Sequence, residues 1–470
     1  MTFETTTDLM PHQVAAIDKL SPIRVGALFM EMGTGKTRTA IELIKRRRHR
    51  IDRVAWFCPV SLKETIRREI MKHTNTPSDQ IHTFGDKTRA NNIPEVFWHI
   101  IGIESMSASK RVIFAANTLI TENTLAIVDE SSYIKGHRSA RTDWITRVCE
   151  RARYRLILTG TPISQGVVDL FAQMRFLSQK ILGYRSFYSF ARNHLVYSDR
   201  FPGKIERSLN TDYLAAKIQP YVYQVTKAEC LTLPEKLYET RYCRLTHQQR
   251  YIYDLTKEET LANLDPDDWN SIAIFRLFSQ LQQIVSGYQK LGGSKVELDN
   301  NRPQLLMDIV ENIPDHEQVV IWGKYHFDID SISAALLERY RKEDITFFHG
   351  GLSQKQRIDE VNRFKAGARF FVATQASGSH GLNEIMSARY VIFYTNNFKY
   401  SERRQAEDRN HRIGQDRNVT YIDMICADTI DERIDTALYE KGNVVASFKR
   451  EVDKVKNRKG NGLKELIMKL

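Results

Sequence analysis

VGALFMEMGTGKTRTAIELI, residues 25–44, decides the architecture. An apolar run (Val25 to Phe29) leads into a glycine-bearing turn, MEMGTGKT (Met30 to Thr37). A segment follows in which Ala40, Leu43 and Ile44 make one apolar helical face. Strand, Gly-rich turn and helix in that order is the setting of a phosphate-binding loop. Gly33 and Gly35 free the backbone around Met32 and Thr34 so that N–H groups close on phosphate oxygens, and the helix N-terminus favours the anion. Lys36 would reach the β- and γ-phosphates, the Thr37 hydroxyl would ligate Mg²⁺, and Arg38 follows within reach of a nucleotide. The strict GxxxxGKT spacing asks for glycine where this chain has Met30, and the alternative reading is a chance Gly-rich turn. The basic cluster from Lys45 to Arg50 reads as a solvated helix end.

Outward from this loop, near-continuous apolar runs alternate with helical patterns in two blocks. The first holds RVAWFCPV (from Arg53), TLAIVDE (from Thr124) and RLILTGTP (from Arg155). The second holds QVVIWG (from Gln318), ITFFHG (from Ile345), RFFVATQA (from Arg369), YVIFYT (from Tyr390) and VTYIDMI (from Val419). Runs without alternation are strands covered on both faces, and strand–helix alternation builds parallel sheets. The expected fold class is therefore α/β, in two lobes. The expected domains are residues 1–175, a helical insertion and linker over 176–300, and residues 301–470. Within the middle stretch, TLPEK (Thr232 to Lys236) reads as an extended linker, because Pro234 restricts its neighbour and removes a donor.

Composition bounds the rest. The chain has 470 residues, 69 Lys+Arg against 57 Asp+Glu and a formal net charge of +12. The basic excess permits a nucleic-acid partner without demanding one. No apolar run reaches the ~18–20 residues of a membrane span, and the N-terminus lacks the pattern of a secretory signal. Five cysteines without a CxxC pair argue against a disulfide framework or a structural zinc, and for a reducing compartment.

After the apolar LAIV come Asp129 and Glu130. Adjacent carboxylates at a strand end, downstream of a phosphate loop, suit a site where Asp129 holds Mg²⁺ and Glu130 orients or deprotonates the attacking water. Alone, the pair could equally be a solvated turn or a helix cap. RLILTGTP ends with Thr159 and Thr161 around Gly160, either a plain strand exit or an element that senses the γ-phosphate. In QAEDRNHRIGQ, Arg409 and Arg412 stand three apart, on one face if helical. Two such guanidiniums could neutralise transition-state charge, or be a solvated basic helix.

Taken in order, these motifs resemble the Swi/Snf-like branch of superfamily-two helicases and translocases. LMPHQ (Leu9 to Gln13) looks like the element whose Gln reads adenine, and MEMGTGKT is similar to the family's first motif, which also lacks the first glycine. CPVSL (from Cys58) resembles the Pro-x-Ser-Leu element, Asp129-Glu130-Ser131-Ser132 with Ile134-Lys135 resembles the DEAH box, and LTGTPI is close to the third motif. LPEK followed by LTHQQRYIYDL looks like the bridge between lobes; HGGLSQKQRIDEVNRF, SGSHGLN and QAEDRNHRIGQ then follow in the family's order. The resemblance implies two RecA-like lobes with ATP and Mg²⁺ between them. Gln13, Gly33, Gly35, Lys36, Thr37, Asp129 and Glu130 would come from the first, and Gln405, Arg409 and Arg412 from the second. It also implies sequence-independent tracking along DNA, with Ser61, Ser105, His349, Gly350, Thr374 and Ser377 as strand contacts by position.

Three departures stand out. Ser132 replaces the box histidine, Ser379 stands where the family has glycine, and the usual Trp before Glu69 is missing. Little sequence precedes Gln13 or follows HRIGQ, so the chain is expected to be a compact, monomeric motor of the cytoplasm or nucleoid. It resembles phage- and bacterium-encoded helicases that act on forks and junctions, with replication or recombination proteins as partners, rather than a nucleosome remodeller. The rival expectations are a duplex translocase that strips proteins or reanneals strands, an RNA helicase, and a catalytically idle nucleic-acid scaffold.

Overall fold

The structure is a computed structural model that describes residues 3–470 except 164–165, 199–204, 232, 266–267, 379–383, 413 and 457–461. The chain divides into two compact units, Met1–Thr232 and Leu233–Leu470. The first contains β1 (Val25–Met30), β2 (Arg53–Cys58), β3 (Ile81–Thr83), β4 (Trp98–Gly102), β5 (Thr124–Asp129), β6 (Tyr154–Leu158), β7 (Leu195–Tyr197), β8 (Ile205–Ser208) and β9 (Val222–Val225). Seven of these form one parallel sheet in the order β3-β4-β2-β5-β6-β1-β9, while β7 and β8 make a separate antiparallel hairpin.

The apolar runs become strands because successive residues feed two cores. Ala27, Phe29, Ala55, Phe57, Ala126, Val128 and Ile157 pack on one face. Their neighbours Leu28, Met30, Val54, Trp56, Leu125, Ile127, Leu156 and Leu158 pack on the other. The helix Lys36–Arg46 buries Ala40, Leu43 and Ile44 against the second face. One expectation fails here. Arg47, in the cluster read as solvated, is buried and donates to the carbonyls of Leu20 and Ile23, both at 2.7 Å. Burial lowers its pKa to about 10.

The second unit contains β10 (Lys236–Cys243), the hairpin strands β11 (Tyr288–Leu291) and β12 (Ser294–Glu297), then β13 (Val319–Gly323), β14 (Ile345–Phe348), β15 (Phe370–Thr374), β16 (Tyr390–Phe393) and β17 (Val419–Cys426). Its parallel sheet runs β10-β17-β16-β13-β15-β14. Val319, Ile321, Phe370, Val372 and Ile392 line one face, and Val320, Trp322, Phe371, Ala373, Val391 and Phe393 the other.

The stretch 176–300 is not a separate insertion. Phe176, Leu177, Ile181, Phe190, Leu195 and Leu214 join a core of the first unit, and β9 extends its sheet. Beyond residue 233 the helices His247–Asn263 and Ser271–Val285 share a core with three later helices, Ile430–Tyr439, Val444–Lys456 and Gly462–Met468. The strand β10 begins at Lys236, the last residue of the segment read as a linker, and pairs in parallel with β17 over its full length. KLYETRYC carries no apolar run because the strand is an exposed edge. The same register sets Cys243 opposite Cys426, both free thiols despite their separation in sequence. Among the described residues no helix is long and apolar enough to cross a membrane.

Candidate functional site

In the first unit, β1 runs into the phosphate loop at the carboxyl edge of the sheet. Gly33 and Gly35 have φ of 80° and 84°, the left-handed region that favours glycine. A Cβ on Gly35 would also collide with the Gln13 amide. Lys36 Nζ donates to the carbonyls of Met30 (2.9 Å) and Glu31 (3.3 Å), so the ammonium lies over the loop. Thr34 is buried, and its hydroxyl (2.7 Å) and N–H (3.3 Å) both donate to the Glu31 carbonyl. Met32 and Thr37 are half-buried at the loop and the first helical turn.

Gln13, on the helix Pro11–Leu20, accepts from Met10 N–H at 2.9 Å and donates to the carbonyls of Thr34 (3.4 Å) and Gly35 (3.3 Å). Gln13 thus docks the N-terminal helix on the loop. Arg38 is a correction. Its guanidinium bonds the carbonyl and hydroxyl of Thr7 and pairs with Glu42 at 3.0 Å, all buried or partly so. A fork spent on those partners ties the N-terminal segment to the helix instead of meeting a nucleotide.

Asp129 ends β5, two strands from β1, with only β6 between them. Its carboxylate accepts from Glu130 N–H (2.9 Å) and Trp56 Nε1–H (3.4 Å). Burial raises its pKa to about 6, while Lys36 pulls it down and Glu130 pushes it up. Glu130 has φ 52°, a strained setting for a residue with a Cβ, of the kind that clusters at functional sites. Its Oε1 accepts from Ser132 Oγ (2.7 Å) and Thr159 Oγ1 (3.0 Å), and Thr159 Oγ1 accepts from Thr161 N–H (3.1 Å). A second link runs from Ser131 Oγ to Gln173 (2.6 Å) and from Gln173 Nε2 to the Pro162 carbonyl (2.8 Å). The acidic pair therefore reaches the LTGTP loop without the box histidine. Trp56 and Gln173 escape a sequence reading, because each is one polar group inside an apolar run.

Ser132 shares Glu130 with Thr159, which keeps its own bond, so Ser132→Ala should lower ATP turnover only about three- to tenfold, the scale of one net hydrogen bond of about 0.5–1.5 kcal/mol. Steady-state hydrolysis measures this; an unchanged rate would show that Thr159 alone holds the carboxylate.

In the second unit, Gln405 and Arg409 lie on the helix Tyr400–Asn410, half-buried and buried respectively. The helix ends at Asn410, so Arg412 stands beyond it and not on one helical face with Arg409. His411 leaves helical geometry at ψ 85°, and Gly414 follows at φ 95°. Asn410 Nδ2 and Gln415 Nε2 pin this turn to the carbonyls of Ile385 (2.6 Å) and Met386 (2.9 Å).

The strand-contact candidates form one set per unit, each at a carboxyl sheet edge. Ser61 follows β2 and Ser105 follows the adjacent β4, and Val60 N–H bonds Glu104 at 2.9 Å between them. In the second unit, Thr374 Oγ1 donates to Ser377 Oγ at 2.9 Å, so buried Thr374 orients Ser377. Gly350 lies beside Ser377, and His349 packs edge-on against His326. Arg357, which donates to the Gly350 carbonyl at 3.1 Å, was not among the sequence candidates. The Ser379 departure lies outside the described residues.

Residues 18–289 match the SNF2-related domain, and residues 301–414 match the helicase conserved C-terminal domain. An uncharacterized ATP-dependent helicase of Mycoplasma genitalium is 26% identical over 324 residues, covering 68% of this chain and 30% of its own. YwqA of Bacillus subtilis is 27% identical over 341 residues, covering 68% of this chain and 35% of its own. The chain thus spans about a third of the length of these relatives. The Hef helicase domain of Pyrococcus furiosus shares the fold at a TM-score of 0.57 and 13% identity, over 90% of this chain and 96% of that domain.

Proposed function

This chain belongs to the SNF2-related family, and on that premise we propose that it hydrolyses ATP at the loop of its first unit and uses the cycle to move along DNA. The observation that carries the reading is the continuous set from Lys36 through Asp129 and Glu130 to Thr159 and Thr161. A phosphate-binding ammonium, a carboxylate for a metal, a carboxylate for water and a hydroxyl relay are the parts that phosphoanhydride hydrolysis needs. That a Mycoplasma relative is named an ATP-dependent helicase supports ATP as the nucleotide.

Thr37 and Asp129 offer the hard oxygen donors that suit Mg²⁺, which when bound neutralises phosphate charge. Lys36 leaves its carbonyl partners for the phosphates, and Glu130 orients the attacking water and takes its proton. Arg409 and Arg412 stabilise charge developing on the transferred phosphoryl group, so Arg412→Ala should cut kcat far more than it weakens ATP binding. An unchanged kcat would make Arg412 a surface charge.

DNA is the track. Ser61 and Ser105 in one unit, and Gly350 and Ser377 in the other, present hydroxyls and N–H groups suited to phosphates whatever the sequence. The deciding experiment compares ATP hydrolysis without DNA and with forks, four-way junctions, flush duplex and single strands, at stated salt. Strong stimulation, greatest with branched DNA, is expected. Equal stimulation by flush duplex assigns the protein to translocation without strand separation, and none at all overturns the motor reading.

A further inference from the structure

The strand that brings the chain into the second unit is fastened to the helix that carries the arginines. The Pro234 carbonyl accepts from His411 Nε2 at 2.8 Å. Two residues on, Lys236 Nζ donates to Glu407 Oε2 at 2.8 Å, and Tyr238 OH donates to the same oxygen at 2.9 Å. Lys236 and Tyr238 share one face of β10, as i and i+2 must. The Tyr238 ring stacks on Tyr421 at 5.5 Å, and Tyr421 OH in turn donates to the main-chain carbonyl of Glu407 at 2.9 Å.

Glu407 is held from the other side as well. Its Oε1 accepts from Arg403 Nε at 2.8 Å, and Arg403 bonds Asp423 Oδ2 and Asn396 Oδ1, each at 2.9 Å. Burial alone would raise the Glu407 pKa, but Arg403 and Lys236 hold it below the usual carboxylate range. The two points that the incoming strand grips, Glu407 and His411, bracket Arg409, and His411 immediately precedes Arg412. Most of β10 is exposed and Tyr238 is 58% exposed, so this grip rests on directed bonds to one carboxylate more than on burial.

We propose that Lys236 and Tyr238 are positioning residues for Arg409 and Arg412: through Glu407, the strand entering the second unit sets where the two guanidiniums stand. The inference rests on the reading of these arginines as groups that act on the nucleotide. Its physical basis is charge-assisted bonding to a single oxygen, which fixes position as well as contributing energy.

The test is a cycle in the full chain with Tyr238→Phe, Lys236→Met, Arg412→Ala and the Tyr238→Phe/Arg412→Ala double variant, reading DNA-stimulated ATP turnover, KM for ATP and the thermal midpoint. Tyr238→Phe removes one hydroxyl and keeps the ring of a largely exposed residue, so it folds. It should lower kcat about three- to tenfold, with KM within about twofold and the midpoint unchanged. Lys236→Met should lower kcat in the same way, and Lys236→Arg should restore it. The double variant should lose less than the product of the two single losses, as coupled residues do. If Arg412→Ala alone leaves kcat unchanged, the underlying reading of the arginines fails. If Arg412→Ala lowers kcat while Tyr238→Phe does not, or the losses simply multiply, the arginine reading stands and the positioning proposal is overturned.

Discussion

Glu130→Gln is expected to lower ATP turnover by about a hundred- to ten-thousandfold, the range of a lost general base, with nucleotide and DNA affinity nearly unchanged. The substitution keeps the shape of the side chain. A glutamine Oε1 still accepts from Ser132 Oγ and Thr159 Oγ1, which lie 2.7 and 3.0 Å from the carboxylate oxygen. Asp129 keeps its N–H bond from residue 130 and its bond from Trp56. What disappears is the charge that can take a proton from water. Single-turnover hydrolysis beside equilibrium nucleotide binding separates the two effects, and near-normal hydrolysis would assign water activation to another group. Lys36→Ala should abolish turnover too, but by losing the cation that meets the phosphates.

Arg302→Ala is expected to destabilise the second unit by about 3–5 kcal/mol, the cost of removing one partner of a buried ion pair. Arg302 is 1% exposed and donates to the Asp431 carboxylate and the Tyr394 carbonyl. Burial disfavours its charge, yet Asp431 more than restores it. Asp431 is itself buried and also accepts from Cys426 N–H at 3.2 Å. The pair joins the helix Arg302–Glu311, the exit of β16, the end of β17 and the helix Ile430–Tyr439. Without the guanidinium, the buried Asp431 side chain is left without its ion-pair partner. Chemical denaturation measures the loss. Arg302→Met with Asp431→Leu should recover most of it, because replacing both charges with apolar groups avoids the unpaired charge. A single variant as stable as the parent would show that water reaches Asp431.

Much of this was legible because it is local. The phosphate loop is read within twenty residues, since strand, glycine turn and helix are each set by nearest neighbours. The strands of both sheets showed as unbroken apolar runs because both faces of each are covered. β10 was hidden for the converse reason: an exposed edge strand buries too little to leave an apolar run. The end of the arginine helix at Asn410 was hidden as well, because RNHR has no strong helix breaker and the stop comes from bonds to Ile385, Met386 and Pro234.

The sequence by itself determined that the chain is α/β in two parts, where the loop, the acidic pair and the arginines lie along it, and which family their order resembles. Only the tertiary structure decided that residues 176–300 divide between the units, that Arg38 serves the fold, that Glu130 leans on both Ser132 and Thr159, and that Lys236 reaches Glu407 across 171 positions. The physical reason is range. Backbone preference and apolar periodicity act between near neighbours, whereas which polar groups share a buried oxygen depends on sheet order and register, set by the packing of the whole chain.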